Sequence, residues 1–281
     1  MVRGVHAWLG ADVTDPLVRI HAVAELLHEE TVIGGWAALY LHGVLDLDGR
    51  TGPAGGTLLP VPVCTGPVGR MRRREGVTVD RSTLLPEDVT SAQGVPVTTA
   101  LRSCLDVMRW SGIEQGVVAG DATARFGAAS TEAIRAYVQR HPGLRGIPKA
   151  RVAATLLDGR SASCPESRLR VVWVLEAGLP APRVNCPLVD ESGFLLGEAD
   201  LFDPEAALVG EYDGVDHRTL TRHTADNIRE EGLERCNLTV VRATSLDLWP
   251  RRQTLVRRLR AGHADGLARD RSRDRWRIRV T

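Results

Sequence analysis

Apolar and polar residues follow two rhythms along this chain. Through 16–45 the apolar positions of PLVRIHAVAELLHEE and GGWAALYLHGVL return every three or four residues, which predicts two amphipathic helices. The glycine-rich stretch DGRTGPAGGT then reads as a turn. LLPVPVCT and GVTVDRS follow as short strands around a basic loop, GPVGRMRRRE. VTSAQGVPVTTALRSCLDVMRW leads into a helix with Thr98 or Thr99 as its N-cap. EQGVVAGDATARFG and STEAIRAYVQRH predict two more, the second capped by Ser130 or Thr131. A linking helix and a polar break near 158–164 place a domain boundary between about 145 and 163.

Past that break the rhythm changes. PESRLRVVWVLEAGL predicts a helix from near Pro165 to Gly178, and RVNCPLV, GEADLFD and ALVGEYD predict three strands in succession. TLTRHTADNIREEGLERCN reads as a helix, LTVVRAT as a strand, and 250–274 as a long basic helix. The order is α-β-β-β-α-β-α. The expected fold class is therefore α/β, with a mixed α/β module over 1–150 and a second domain over 163–281 that ends in the basic helix.

Composition narrows the class. A hydrophobic fraction of 43% and a charged fraction of 25% fit a soluble globular chain with a sizeable core. No apolar run approaches the roughly 20 residues of a membrane span. Cys64, Cys104, Cys164, Cys186 and Cys236 are scattered and odd in number, without metal-ligand spacing, and the chain does not open on a signal-like segment. A reducing cytoplasm is the expected compartment, and neither structural zinc nor a disulfide framework is expected. A net charge of +1 hides eleven arginines within 251–281, among them Arg251 and Arg252. Such an end suits an anionic partner or a solvated helix. Lys149 is the chain's only lysine.

The chemistry gathers in GEADLFDPEAALVGEYDGVDH, residues 197–217. In an extended strand Glu211 and Asp213 share a face with Val209, and a hairpin through Pro204 would bring Asp200 beside Glu211. Hard oxygen ligands on a rigid sheet suit Mg²⁺; solvated acids at strand ends are the alternative. Glu166 opens the preceding helix, where it could face the same site or serve as a first-turn acid that the helix dipole stabilises. His217 is a candidate proton carrier or a surface residue.

Glu166 in PESRLR, Asp200 in EADLFDP, GEYDGVDH, DNIRE and LTVVRAT together resemble the PD-(D/E)XK nuclease superfamily. The nearest branch is the very-short-patch-repair-like endonuclease domains, whose second acid strand, E-x-D-G-x-x-H, is matched by 211–217. The resemblance covers about 163–250 and implies a restriction-endonuclease-like α-β-β-β-α-β domain. It also implies Mg²⁺ or Mn²⁺ held by Glu166, Asp200 and Glu211, supported by Asp213, with His217 moving protons. The superfamily's lysine falls at Asp213, so this chain departs from the pattern there.

GGWAALYLHGVL, the basic loop and DVTSAQGVPVTTALRSCLDV, within about 20–125, resemble AbiEi-type antitoxins of abortive-infection systems. That likeness implies a module that positions DNA or a partner, although too few residues precede the match for a winged-helix head. Arg70, Arg72, Arg73 and Arg74 form a basic patch suited to DNA phosphates or to a solvated hairpin tip. Arg102 and Asp106, four apart on one helix, are expected to form a structural pair. The expected function is a metal-dependent DNA endonuclease. The alternatives are a non-catalytic DNA-binding regulator of antitoxin or repressor type, and a phage-defence protein whose partner is another protein or a second copy.

Overall fold

The computed structural model describes residues 12–52, 56–69, 71–72, 74–214 and 232–279. The chain is a mixed α/β protein of two compact units, Met1–Gly159 and Arg160–Thr281.

In the first unit the helical rhythm becomes α1 (Pro16–Ala24) and α2 (Gly35–Leu41). Among the described residues the unit has seven short strands, the first between the two helices and the others after them: β1 (Val32–Ile33), β2 (Arg50–Thr51), β3 (Thr57–Leu58), β4 (Val61–Cys64), β5 (Val77–Asp80), β6 (Val89–Ala92) and β7 (Val95–Thr98). Five of them form one sheet in the order β5-β4-β1-β7-β6, with β4–β5 and β1–β7 parallel. β6 and β7 form a hairpin in the segment leading into the helix, where the sequence pattern predicted no strands. Its turn residues, Gln93 and Gly94, have φ of 50° and 78°. Both are left-handed, as a two-residue turn matched to strand twist requires.

Four helices complete this unit: α3 (Ala100–Trp110), α4 (Ile113–Arg125), α5 (Thr131–Arg140) and α6 (Ile147–Thr155). Thr99 caps α3 and Ser130 caps α5, each side chain accepting a backbone N–H three residues on. Trp36 is buried in the core, with its indole N–H on the Pro60 carbonyl.

The second unit opens with α7 (Cys164–Val171), which widens into a π-helical turn at Val172–Glu176. Strands β8 (Arg183–Asp190), β9 (Leu195–Asp203), β10 (Leu208–Tyr212) and β11 (Thr239–Ala243) follow, then α8 (Arg252–Ala268) and β12 (Trp276–Ile278). The sheet order is β11-β10-β9-β8-β12, antiparallel except for β10–β11. Most of the helix expected over 219–237 lies outside the described residues; 232–235 is helical.

One apolar cluster joins Leu169, Trp173, Leu201, Leu208 and Val241 to Leu255 and Leu259 of α8, and a second joins Phe202, Val209, Leu233 and Leu238. Gly210 lets Trp173 lie against β10, since a Cβ there would meet the ring at 3.0 Å.

The basic helix expected over 250–274 stops at Ala268. Arg269 turns back to pair with Asp274 at 2.8 Å, and the Asp270 carboxylate accepts the Ser272 N–H, which ends the helical ladder. The remaining chain becomes β12, whose alternation sets Trp276 edge-on to Phe202 with ring centroids 5.0 Å apart. Among the described residues no helix is long and apolar enough to cross a membrane.

Candidate active site

Three adjacent strands of the second unit carry matching rows of side chains. Phe202, Val209 and Val240 are in register across β9, β10 and β11 and form an apolar row. Two residues along β10 and β11, on the same face by alternation, come Glu211 and Arg242, and two residues along β9 comes Asp200. Glu211 and Arg242 are paired in the parallel register. The β9–β10 register runs from Leu208↔Asp203 to Gly210↔Leu201, and Glu211 and Asp200 are the next residues beyond it on each strand.

Each acid is held differently. Asp213, one residue past β10, donates its N–H to the Ala243 carbonyl on β11. The N–H of Tyr212 therefore points the other way, toward β9, and there it meets the Asp200 carboxylate at 2.7 Å. Glu211 is buried, 8% exposed, with Oε2 3.6 Å from Nε of Arg242. Asp213 itself is exposed at the strand end.

Glu166 is held at the start of its helix. Its Oε2 accepts the Ala162 N–H at 2.7 Å and its Oε1 accepts the Ser163 hydroxyl at 2.8 Å, while Ser163 Oγ accepts the Glu166 N–H at 3.3 Å. This is a capping arrangement at the start of α7. Asp200 and Glu211 are thus brought together, and among the described residues Glu166 does not complete a threefold ligand group with them. His217, Arg70 and Arg73 lie outside the described residues.

The basic residues divide in the same way. Arg72 is exposed and Arg74 half-buried in the loop before β5. Arg251 is exposed at the start of α8. Arg252 is bound into the fold by an ion pair with Glu176 at 2.6 Å and a bond to the Leu248 carbonyl at 3.0 Å. Arg260 likewise donates to the carbonyls of Glu176 and Ala177, and Arg269 to those of Glu205 and Gly266. Much of the C-terminal basicity therefore closes backbone ends within the unit.

A second charged cluster lies in the first unit, and spacing along the chain gave no sign of it. Sγ of Cys64 (β4) and the carboxylates of Asp80 (β5) and Asp106 (α3) lie within 4.8 Å of one another, a set that could hold a metal ion. Two arginines already bind its oxygens. Arg102 Nε meets both Asp106 oxygens at 3.1 Å, and Arg109 spans Asp106 at 2.7 Å and Asp80 at 2.5 Å. Arg102 also reaches Asp88 at 2.9 Å, and Asp88 accepts the Tyr137 hydroxyl.

Burial, then the two neighbouring carboxylates, push the Cys64 thiol well above its ordinary range, so in the ion-free cluster it stays protonated. A cation there would have to displace guanidinium groups and ionise that thiol. The expected Arg102–Asp106 pair is present, inside a larger network.

No protein-family profile and no solved structure matches the chain. Two uncharacterized proteins of Mycobacterium tuberculosis, from strains CDC 1551 and H37Rv, are each 30% identical to it over 122 residues. The match covers 43% of this chain and 44% of each relative, so the chain spans less than half the length of the curated relatives it matches.

Proposed function

We propose that the second unit is a metal-dependent DNA endonuclease built on Asp200 and Glu211. The observation that carries this reading is their juxtaposition on adjacent strands, one carboxylate stitched to the Tyr212 amide and the other buried. Rigid hard-oxygen donors of this kind fit Mg²⁺ or Mn²⁺, and Asp200 and Glu211 would hold the ion. Bound there, it would supply Lewis-acid charge toward a phosphodiester.

The chain's own groups do the rest. β9 and β10 fix the separation of the carboxylates, the apolar row Phe202–Val209–Val240 keeps water from one side, and Asp213 adds an exposed carboxylate at the mouth. His217 is the candidate proton carrier. Arg72, Arg74 and Arg251 are the candidate phosphate contacts. In this reading the first unit is an AbiEi-like module that positions DNA or a partner, and the protein works in the cytoplasm.

One observation favours a second reading. Arg242 already counters the charge of Glu211, and the unit contains no lysine, as would suit a DNA-binding regulator that keeps the fold without cutting. A plasmid-nicking assay with Mg²⁺, Mn²⁺ and Ca²⁺ separates the two. An endonuclease nicks with Mg²⁺ or Mn²⁺ and poorly with Ca²⁺, and Asp200→Ala abolishes nicking while DNA binding persists. A wild type that binds DNA and never nicks it is the regulator.

A further inference from the structure

Resting on the endonuclease reading, we propose that Arg242 is the fixed cation of this site, acting on the scissile phosphate where a lysine would otherwise stand. Three observations converge on it. Lys149 belongs to the first unit, so the second unit has no lysine to offer. Arg242 is in register with Glu211, with Nε 3.6 Å from the Glu211 carboxylate. Its backbone is held from behind, because its carbonyl accepts Nη2 of Arg258 at 2.8 Å, while its side chain remains 27% exposed.

The chemistry of a guanidinium limits what it can do. It keeps its proton at any working pH, so it cannot take one from the attacking water. It can offer its planar fork of N–H donors to the non-bridging oxygens of a phosphodiester. There it offsets the negative charge that builds as the water oxygen bonds to phosphorus. The P–O ester bond then breaks with its electron pair going to the leaving oxygen. The water gives up one proton and the leaving oxygen takes one, exchanged with solvent directly or through His217. Before DNA arrives, the same positive charge sits on Glu211 and opposes any other cation there.

These two roles predict opposite effects of one substitution. In the full chain, Arg242→Gln should bind Mn²⁺ at least as tightly as wild type, measured by titration calorimetry, because a competing cation has left Glu211. Its single-turnover nicking rate with saturating Mn²⁺ should fall by about 10²-fold, the typical loss of one group that stabilises transition-state charge. Arg242→Lys should recover part of that rate, since charge is kept and the fork is lost. Wild-type nicking by Arg242→Gln overturns the proposal, as does Mn²⁺ affinity that falls together with the rate, or a lysine variant no faster than glutamine. A wild type that does not nick removes the endonuclease reading and this proposal with it, which is distinguishable from a failure confined to Arg242.

Discussion

The Asp200 carboxylate accepts the backbone N–H of Tyr212 at 2.7 Å, so the candidate metal ligand is also a stitch between β9 and β10. Charge and stitch can be separated. Asp200→Asn keeps a carbonyl oxygen for the amide and removes the charge, whereas Asp200→Ala removes both. Loss of a hydrogen bond to a charged group costs about 1.5–3 kcal/mol, so Asp200→Ala should lower the urea midpoint clearly and Asp200→Asn much less. Both should abolish nicking; an asparagine variant that still nicks contradicts the ligand role.

Glu166 is expected to behave as a cap. Glu166→Ala should cost about 0.3–1.5 kcal/mol, the usual worth of such a helix-end contact, while Mn²⁺ binding and nicking stay near wild type. Mn²⁺ affinity that collapses in calorimetry would instead return Glu166 to the ligand set.

The network of the first unit should be far more sensitive. Arg102 is 1% exposed and lies among Asp80, Asp88 and Asp106; burial works against its charge, and Asp106 and Asp88 hold that charge in place. Arg102→Met would leave Asp88 and Asp106 buried without that partner, at a cost of about 3–5 kcal/mol. Urea unfolding reads this directly. A loss below about 1 kcal/mol, the scale of an exposed pair, would mean the cluster is wetter than its burial implies.

Alkaline pH should act on the same unit. Burial pushes the Cys104 thiol up from 9.0 to about 12, and Cys64 also rises. The folded chain thus keeps these protons at pH values where the unfolded chain has lost them. The Cys104 contribution to stability is whole below about pH 9 and is lost as pH rises toward about 12. Cys104→Ala should flatten the fall of the urea midpoint over that range. An identical slope in the variant would remove Cys104 as its source.

Among the arginines, salt dependence distinguishes a DNA contact from a brace. Each phosphate contact contributes about 0.9 to the log–log slope of affinity against salt. Replacing Arg72 and Arg74 by glutamine should lower that slope. Arg252→Gln should leave it unchanged and reduce stability instead, because its partner is Glu176. Fluorescence anisotropy on duplex DNA across a salt series measures both.

What was legible in the sequence follows from what local pattern encodes. The caps at Thr99 and Ser130, the α7 start and the three strands around Asp200 were readable because each depends on neighbours within four residues. Arg242 was hidden although LTVVRAT reads as a strand, because its relation to Glu211 exists only through a parallel pairing of distant segments. The Cys64–Asp80–Asp106 cluster was invisible for the same reason, its members coming from two strands and a helix. The C-terminal helix was read too long because its arginines favour a helix, whereas Asp270 and Asp274 draw the chain into a turn.

That turn delivers β12, three residues long, onto the outer side of β8 at Leu188, Val189 and Asp190. Arg279 adds a bond from its N–H to the Pro187 carbonyl. β8 would otherwise border the sheet with a row of open backbone groups, a template for strands from other molecules. A chain shortened to Ala268 should therefore self-associate through β8 as its concentration rises. Under mild destabilisation, two full-length copies could exchange their last strands and dimerise by domain swapping.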